Sequence, residues 1–343
     1  MRGVVLTGDE GVEVRDFPDP RPGYGQVVVA VRASGICGTD LHIYHSPAAE
    51  RARRPLVISG HEPCGVVAEI GPGVPEHVVR IGDRVMVHHY LGCGVCDQCR
   101  IGYPQQCRKG HVGYGYQAHG GNADYILVGA ETLVRLPDGL GFAEGAALAC
   151  GTGTAYMGLK RLDVSGRDTL VVFGQGPVGL SATILGRAMG ARVVAVDVVP
   201  ERLALARELG ADVTIDGSAH DAVETIRDLT RGLGADAAVD CTGNAQARAD
   251  ALRCAGFWGR VCFIGLGGPA TFDVSRDIIN KQLTVYGSRT FGTVGLEEAA
   301  RFVVDRRVPL ERLITHRFEL EAAPEAFARF AAGLPGKSVF AIG

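Results

Sequence analysis

The chain contains no stretch approaching the ~18 uninterrupted apolar residues that a membrane-spanning helix requires. Its start, Met1-Arg-Gly-Val-Val-Leu-Thr-Gly-Asp, has an apolar run too short for the core of a secretory signal. Positive charge is not in excess: 35 Lys and Arg stand against 38 Asp and Glu, so the footprint of a nucleic-acid binder is missing. The short pair Arg53-Arg54 does not supply one. There is no internal repeat and no low-complexity tract. These absences leave a soluble globular protein, expected in the cytoplasm and so in a reducing compartment. There the 10 cysteines point to metal ligands or buried thiols before disulfides.

A chain of 343 residues is long for one core, so two domains are expected, and 46% hydrophobic with 21% charged residues suits folded domains. The 49 glycines suggest many tight turns and close backbone approaches. Over the first 140 residues, segments 11–15, 26–33, 64–70, 84–88 and 124–128 are β-branched and apolar. Turn clusters such as Gly71-Pro72-Gly73 and Gly82-Asp83 separate them. Short strands at this spacing predict a compact barrel or sandwich.

Within that region Cys93, Cys96, Cys99 and Cys107 follow C-x2-C-x2-C-x7-C in the Gly-rich stretch 91–110. Two-residue gaps let one loop turn successive thiolates onto a tetrahedral ion. Four thiolates leave no open position, so a structural zinc is expected. A disulfide knot is disfavoured by the reducing compartment, and an iron–sulfur run by the last gap and by Arg108 where a Pro would follow. A second set lies upstream: Cys37, Thr39 and His42 in one segment, and His61-Glu62 nineteen positions on. These are the groups of a metal site with a proton path beside it.

From Asp168 strands alternate with helical stretches. Segments 169–173, 192–197, 212–216, 235–240, 260–265 and 283–287 read as strands, and 178–189, 201–209, 221–231 and 245–255 as helices. This predicts a doubly wound parallel sheet. The first strand leads into Gly174-Gln-Gly176-Pro177-Val178-Gly179, a G-x-G-x-x-G opening a helix, whose N-terminus suits a pyrophosphate. Asp197, ending the second strand, would accept from a ribose 2′-hydroxyl and repel a 2′-phosphate, favouring NAD over NADP. Arg202, on the next helix, and Thr154 are counted with the cofactor contacts. Cys64, Cys241, Cys254 and Cys262 sit in apolar contexts and read as core thiols. Between the halves, Gly145-Ala-Ala-Leu-Ala-Cys150 is a run of small residues. Cys150 reads either as a core residue or as a third ligand beside Cys37 and His61, with Glu144 as a rival oxygen ligand.

Gly35-Ile-Cys37-Gly-Thr39-Asp-Leu-His42, Gly60-His61-Glu62, the four-Cys loop and the dinucleotide turn together resemble the zinc-dependent medium-chain alcohol dehydrogenases, in order, over nearly the whole chain. The resemblance implies an α/β fold: a doubly wound, six-stranded parallel Rossmann sheet (146–288) inserted in a GroES-like β-barrel catalytic domain (1–145, completed by 289–343). It implies a catalytic zinc on Cys37, His61 and Cys150, with Glu62 close behind as an alternative ligand. It also implies a proton relay of Thr39 and His42, and Lys337 as a basic contact near the cofactor phosphates. The implied enzyme uses two Zn2+ and NAD to oxidise a primary or secondary alcohol reversibly to an aldehyde or ketone. Two hints on the substrate conflict. Sorbitol- and threonine-type relatives tend to carry a carboxylate where Cys150 stands, which leans towards simple alcohols. Tyr114, Tyr116, Gln117, His119 and Arg51, Arg53 and Arg54 would suit a polyol, sugar alcohol or L-threonine, although most of those arginines are expected on a solvated face. A non-catalytic NAD-binding sensor is the alternative of another class, and a zinc-free reductase of the same fold would lack the ligand set. A homodimer or homotetramer is expected by resemblance, pairing near 272–283, with no nucleic-acid or membrane partner.

Overall fold

The computed structural model describes residues 1–343. Contacts divide the chain into two compact units: Met1–Cys150 with Gly292–Val304 and Ile314–Gly343, and Gly151–Phe291 with Asp305–Leu313. The return of residues 305–313 to the second unit has no signal in the sequence. It is driven by Leu310 and Leu313, which are fully buried there.

The first unit opens with a hairpin of β1 (Arg2–Gly8) and β2 (Gly11–Asp16). Asp9 and Glu10 at its tip both take positive φ, the conformation a two-residue hairpin turn demands. β3 (Gln26–Gly35) is the central strand. It pairs antiparallel with β4 (Pro63–Ile70) on one side. Next come β5 (Arg84–Val87), the short pair β6 (Tyr90–Leu91) and β7 (Val112–Gly113), then β8 (Tyr125–Gly129) and β9 (Leu133–Arg135). On β3 the odd positions Val27, Val29 and Val31 all enter one apolar core, the period-two signature of a strand. β8 supplies Ile126 and Val128 to that core, and the C-terminal segments add Phe318, Phe327 and Phe340.

The second unit is built on β10 (Thr169–Phe173), β11 (Arg192–Asp197), β12 (Val213–Asp216), β13 (Ala235–Asp240), β14 (Ala255–Phe263) and β15 (Thr284–Gly287). They form one parallel sheet in the order β12-β11-β10-β13-β14-β15, with the order reversing between β10 and β13. β14 begins five residues earlier than the sequence suggests. Its register jumps from Ala255 opposite Ala235 to Arg260 opposite Ala237. The extra residues bulge outward, with Trp258 at positive φ and both Phe257 and Trp258 exposed. The chain then returns to the first unit, where β16 (Ile314–Phe318) lies parallel to β17 (Lys337–Ala341). β17 pairs with the C-terminal half of β3 and β8 with its N-terminal half. No helix is long and apolar enough to cross a membrane.

Candidate active site

Three segments of the first unit converge. β3 runs into Cys37, which caps the helix Gly38–Tyr44. Asp40, three residues on, turns back to accept from the Cys37 N–H at 2.9 Å, fixing the thiol at the helix start. His61 and Glu62 stand at the entry to β4. Cys150 comes from a π-helical turn, Leu148–Thr152, that follows the helix Phe142–Ala147. One ligand atom from each of Cys37, His61, Glu62 and Cys150 lies within 4.8 Å of the other three. All four side chains are nearly closed off, from 0% exposed at Glu62 to 9% at Cys37.

Two thiols, an imidazole and a carboxylate are a donor set for zinc. The ring of His61 is held from behind. Its Nδ1 lies 3.1 Å from Asp40 Oδ1 and 2.7 Å from the Tyr116 hydroxyl, leaving Nε2 as the nitrogen for an ion. Burial would pull His61 down, but the charges of Asp40 and Cys37 outweigh it and raise the ring well above its ordinary value. The Cys37 thiol is lowered well below its own by the hydrogen bond from Cys150, with His61 and Lys337 assisting, against burial. A thiolate is the form that binds metal, so the pocket is poised for a cation. Glu62 is pushed by burial to about 7 despite the opposing pull of Lys337.

Lys337 corrects the sequence reading. Expected near the cofactor phosphates, it is 1% exposed, ion-paired with Glu62, and donates to the Ile36 carbonyl at 2.8 Å. A buried ammonium committed in this way acts on the ligand cluster. Glu144, the rival ligand, stands outside that cluster and accepts from the Gly141 N–H of its own helix at 2.6 Å.

Thr39 Oγ1 is 3.7 Å from Cys37 Sγ, and His42 follows three residues on along the same helix, exposed. Both line a cavity of about 320 Å3 with Ser46, Glu50, Arg54, Ser59 and Tyr116. Of the polar side chains singled out in that loop, Tyr116 lines the cavity, beside Gly115. Tyr114 is buried and accepts from the Gly129 N–H, Gln117 from Gly113, and the His119 ring from Ile58. Arg51 also lines the cavity, yet it is no solvated side chain: its guanidinium is buried on the carbonyls of Leu6 and Pro55. Asp40 was missed. Its signal was the acidic residue three positions after Cys37, the spacing of a helix cap.

In the loop, Cys93, Cys96, Cys99 and Cys107 likewise bring their sulfurs within 4.8 Å of one another. An exposed, two-pronged pair ties the middle of the loop to its last ligand's neighbour: Arg108 donates to Asp97 at 2.6 and 2.7 Å.

In the second unit a cavity of about 1090 Å3 lies over the carboxyl ends of the strands, lined by Gly174, Gly176, Asp197 and Arg202 among others. Pro177, Val178 and Gly179 form the first turn of the helix Pro177–Ala188 behind it. A Cβ on Gly179 would stand 1.6 Å from the Gly174 carbonyl, so no larger residue fits between strand and helix. Asp197 accepts from the N–H groups of Val198 and Val199 at 2.8 and 3.0 Å and from that of Gln175. Thr154 is buried in the helix Gly153–Arg161. Cys64, Cys254 and Cys262 are buried as expected, whereas Cys241 lines the cavity.

Residues 23–138 match the family model of the alcohol dehydrogenase GroES-like domain, and residues 177–305 that of zinc-binding dehydrogenases. The chain is 42% identical over 348 residues to the uncharacterized zinc-type alcohol dehydrogenase-like protein YphC of Escherichia coli, covering 99% of this chain and 98% of the relative. It is 34% identical to an L-threonine 3-dehydrogenase of Pyrococcus horikoshii, with 96% and 95% covered. Among solved structures, the alcohol dehydrogenase TADH from Thermus sp. ATN1 superposes with a TM-score of 0.91 at 28% identity, with 100% of each chain covered.

Proposed function

The chain belongs to the zinc-dependent medium-chain alcohol dehydrogenases, oxidoreductases of the CH–OH group that use zinc and NAD, and from that premise we propose how its own residues divide the work. Cys37, His61 and Cys150 hold the catalytic zinc, and Glu62, paired with Lys337, stands as the alternative ligand. Cys93, Cys96, Cys99 and Cys107 hold the structural zinc. The observation that carries this reading is the buried cluster of two thiols, an imidazole and a carboxylate within 4.8 Å. When bound, zinc supplies positive charge beside the reacting oxygen, which lowers the cost of ionising an alcohol, and NAD supplies the hydride acceptor. The Thr39 hydroxyl accepts the alcohol's proton while releasing its own, and exposed His42 hands it to solvent. Asp40 keeps the proton on Nδ1 of His61 and so keeps Nε2 free for metal. Asp197 selects NAD by accepting from the ribose 2′-hydroxyl.

For the substrate we propose a small alcohol carrying a second polar group. The cavity beside Thr39 is at the small end for ligand sites and mixes Leu6, Ile43 and Val57 with Ser46, Ser59 and Tyr116. An L-threonine-type substrate is the second reading, in line with the relatives of that name; Glu50 and Arg54 at the wall, paired with each other at 3.3 Å, would have to part to engage its two charges. The reducing cytoplasm is the compartment that suits the free thiols, and the exposed edge strand β15 is where a homodimer or homotetramer would pair.

The test is Cys37→Ser. Metal content should fall from about two zinc ions per chain to about one, with loss of NADH production across a panel of short alcohols, polyols and L-threonine. Full activity in the variant would sink the assignment.

A further inference from the structure

Outside the residues assigned so far, Arg248 of the second unit commits all three of its bonding nitrogens to the protein. It lies on the helix Ala245–Cys254, 16% exposed, with Nε 3.4 Å from Asp240 Oδ2. Asp240 ends β13 and is fully buried. Its Oδ1 also accepts from the Thr242 and Gly243 N–H groups at 2.8 and 3.2 Å. The guanidinium fork faces the other way: Nη2 donates to the Gly265 carbonyl at 2.7 Å, and Nη1 to the Gly268 carbonyl. Arg248 thus joins the turn after β13 to the turn after β14.

Those turns are packed backbone to backbone. A Cβ on Gly265 would lie 2.2 Å from the Gly243 nitrogen, and one on Gly267 2.1 Å from the Gly243 carbonyl. Residues 266–268 are exposed, and Leu266 at the tip is 69% exposed, so no apolar burial holds this glycine-rich turn in shape. Glycine pays the largest entropy cost on ordering, and a two-pronged guanidinium on two carbonyls is a strong counterweight.

The sheet says what the turn is for. Ligands bind doubly wound sheets outside the carboxyl ends of the strands, across the point where strand order reverses, with one mononucleotide on each half. The G-x-G-x-x-G turn follows β10 and Asp197 ends β11, so the adenosine half of NAD belongs to β10–β12. The nicotinamide half then falls to the ends of β13, β14 and β15, where Arg248 acts. We propose that Arg248 is a positioning residue for the nicotinamide half of the cofactor, holding residues 265–268 in their receiving shape by bridging Asp240 to the Gly265 and Gly268 carbonyls. This rests on the dinucleotide reading of the second unit.

The experiment compares binding of NADH with that of ADP-ribose, which lacks the nicotinamide, by calorimetry on the zinc-loaded protein. Arg248→Lys keeps a positive charge on the helix but lacks the planar fork whose three nitrogens reach Asp240, Gly265 and Gly268 at once. It should weaken NADH about tenfold while leaving ADP-ribose within about twofold. Arg248→Ala should do the same more strongly; if it fails to fold, the Lys variant decides. Equal weakening of both ligands, or of neither, overturns the proposal and leaves the dinucleotide reading standing. A wild-type protein that binds neither ligand overturns that reading, and the proposal with it.

Discussion

Replacing Lys337 by Met isolates one contact of the buried site. The ammonium is 1% exposed and the Glu62 carboxylate 0%, and the two form an ion pair with no water between them. At a separation of ~3 Å and an effective dielectric of ~20, their attraction is roughly 5 kcal/mol. Removing one member of a buried pair costs about 3–5 kcal/mol, because the other charge is left behind without solvent. Urea unfolding of the zinc-loaded protein, followed by circular dichroism, should show Lys337→Met less stable by about 3–5 kcal/mol. The double variant Lys337→Met, Glu62→Gln removes both charges and should return to within about 2 kcal/mol of wild type. A single variant losing under ~1 kcal/mol, or a double variant as unstable as the single, would refute the pairing argument.

Asp40→Asn should lower zinc affinity at the catalytic cluster about 10–100-fold, measured by chelator competition, with little change in melting temperature. An unchanged affinity would mean that Tyr116 alone orients His61. Arg108→Ala opens the clamp on Asp97 and should speed metal release from the four-Cys loop about tenfold, while initial alcohol turnover stays level; equal release rates would remove the clamp's role. Hydrogen bonds from Arg276 and from the Asp273 N–H, with the charge of Arg253 behind them, hold the Asp277 carboxyl below the usual carboxylate range against burial. A depressed folded pKa adds stability above the unfolded value of ~3.9 that is lost as pH falls through the folded one. Melting curves should therefore place wild type above Asp277→Asn at pH 7 and bring the two together in strong acid; a gap that survives acidification contradicts this.

Where ligands are close in sequence, the site was legible. Two-residue gaps in the four-Cys loop and the Cys37–His42 segment carry their geometry with them, because a loop or one helical turn fixes the distances. Cys150 was ambiguous for the opposite reason: a thiol among small apolar residues looks the same whether it packs or binds. Lys337 was misplaced because its partner, Glu62, belongs to a strand far away in sequence, and no local pattern announces such a pair. Of the three arginines, Arg53 and Arg54 are exposed as expected of most of them, and Arg51 is the exception, its acceptors being the backbone of Leu6 and Pro55. The strands of the parallel sheet were readable from runs of Val and Ala buried on both faces. The early half of β14 was not, since Phe257 and Trp258 bulge outward and break the run.

The π-helical turn at Leu148–Thr152 has a consequence for how easily the chemistry could be lost. Such a turn carries one residue more than an α-helical turn, so the side chains on either side are out of phase by roughly 100°. Cys150 sits on that phase slip. Deleting a single residue there would let the turn relax into regular helix, with better hydrogen bonding. The thiol would be carried around the axis, away from Cys37 and His61. The proposed metal site is thus written as a local defect in helix register, and pressure towards a straighter helix at this point is pressure against the cluster.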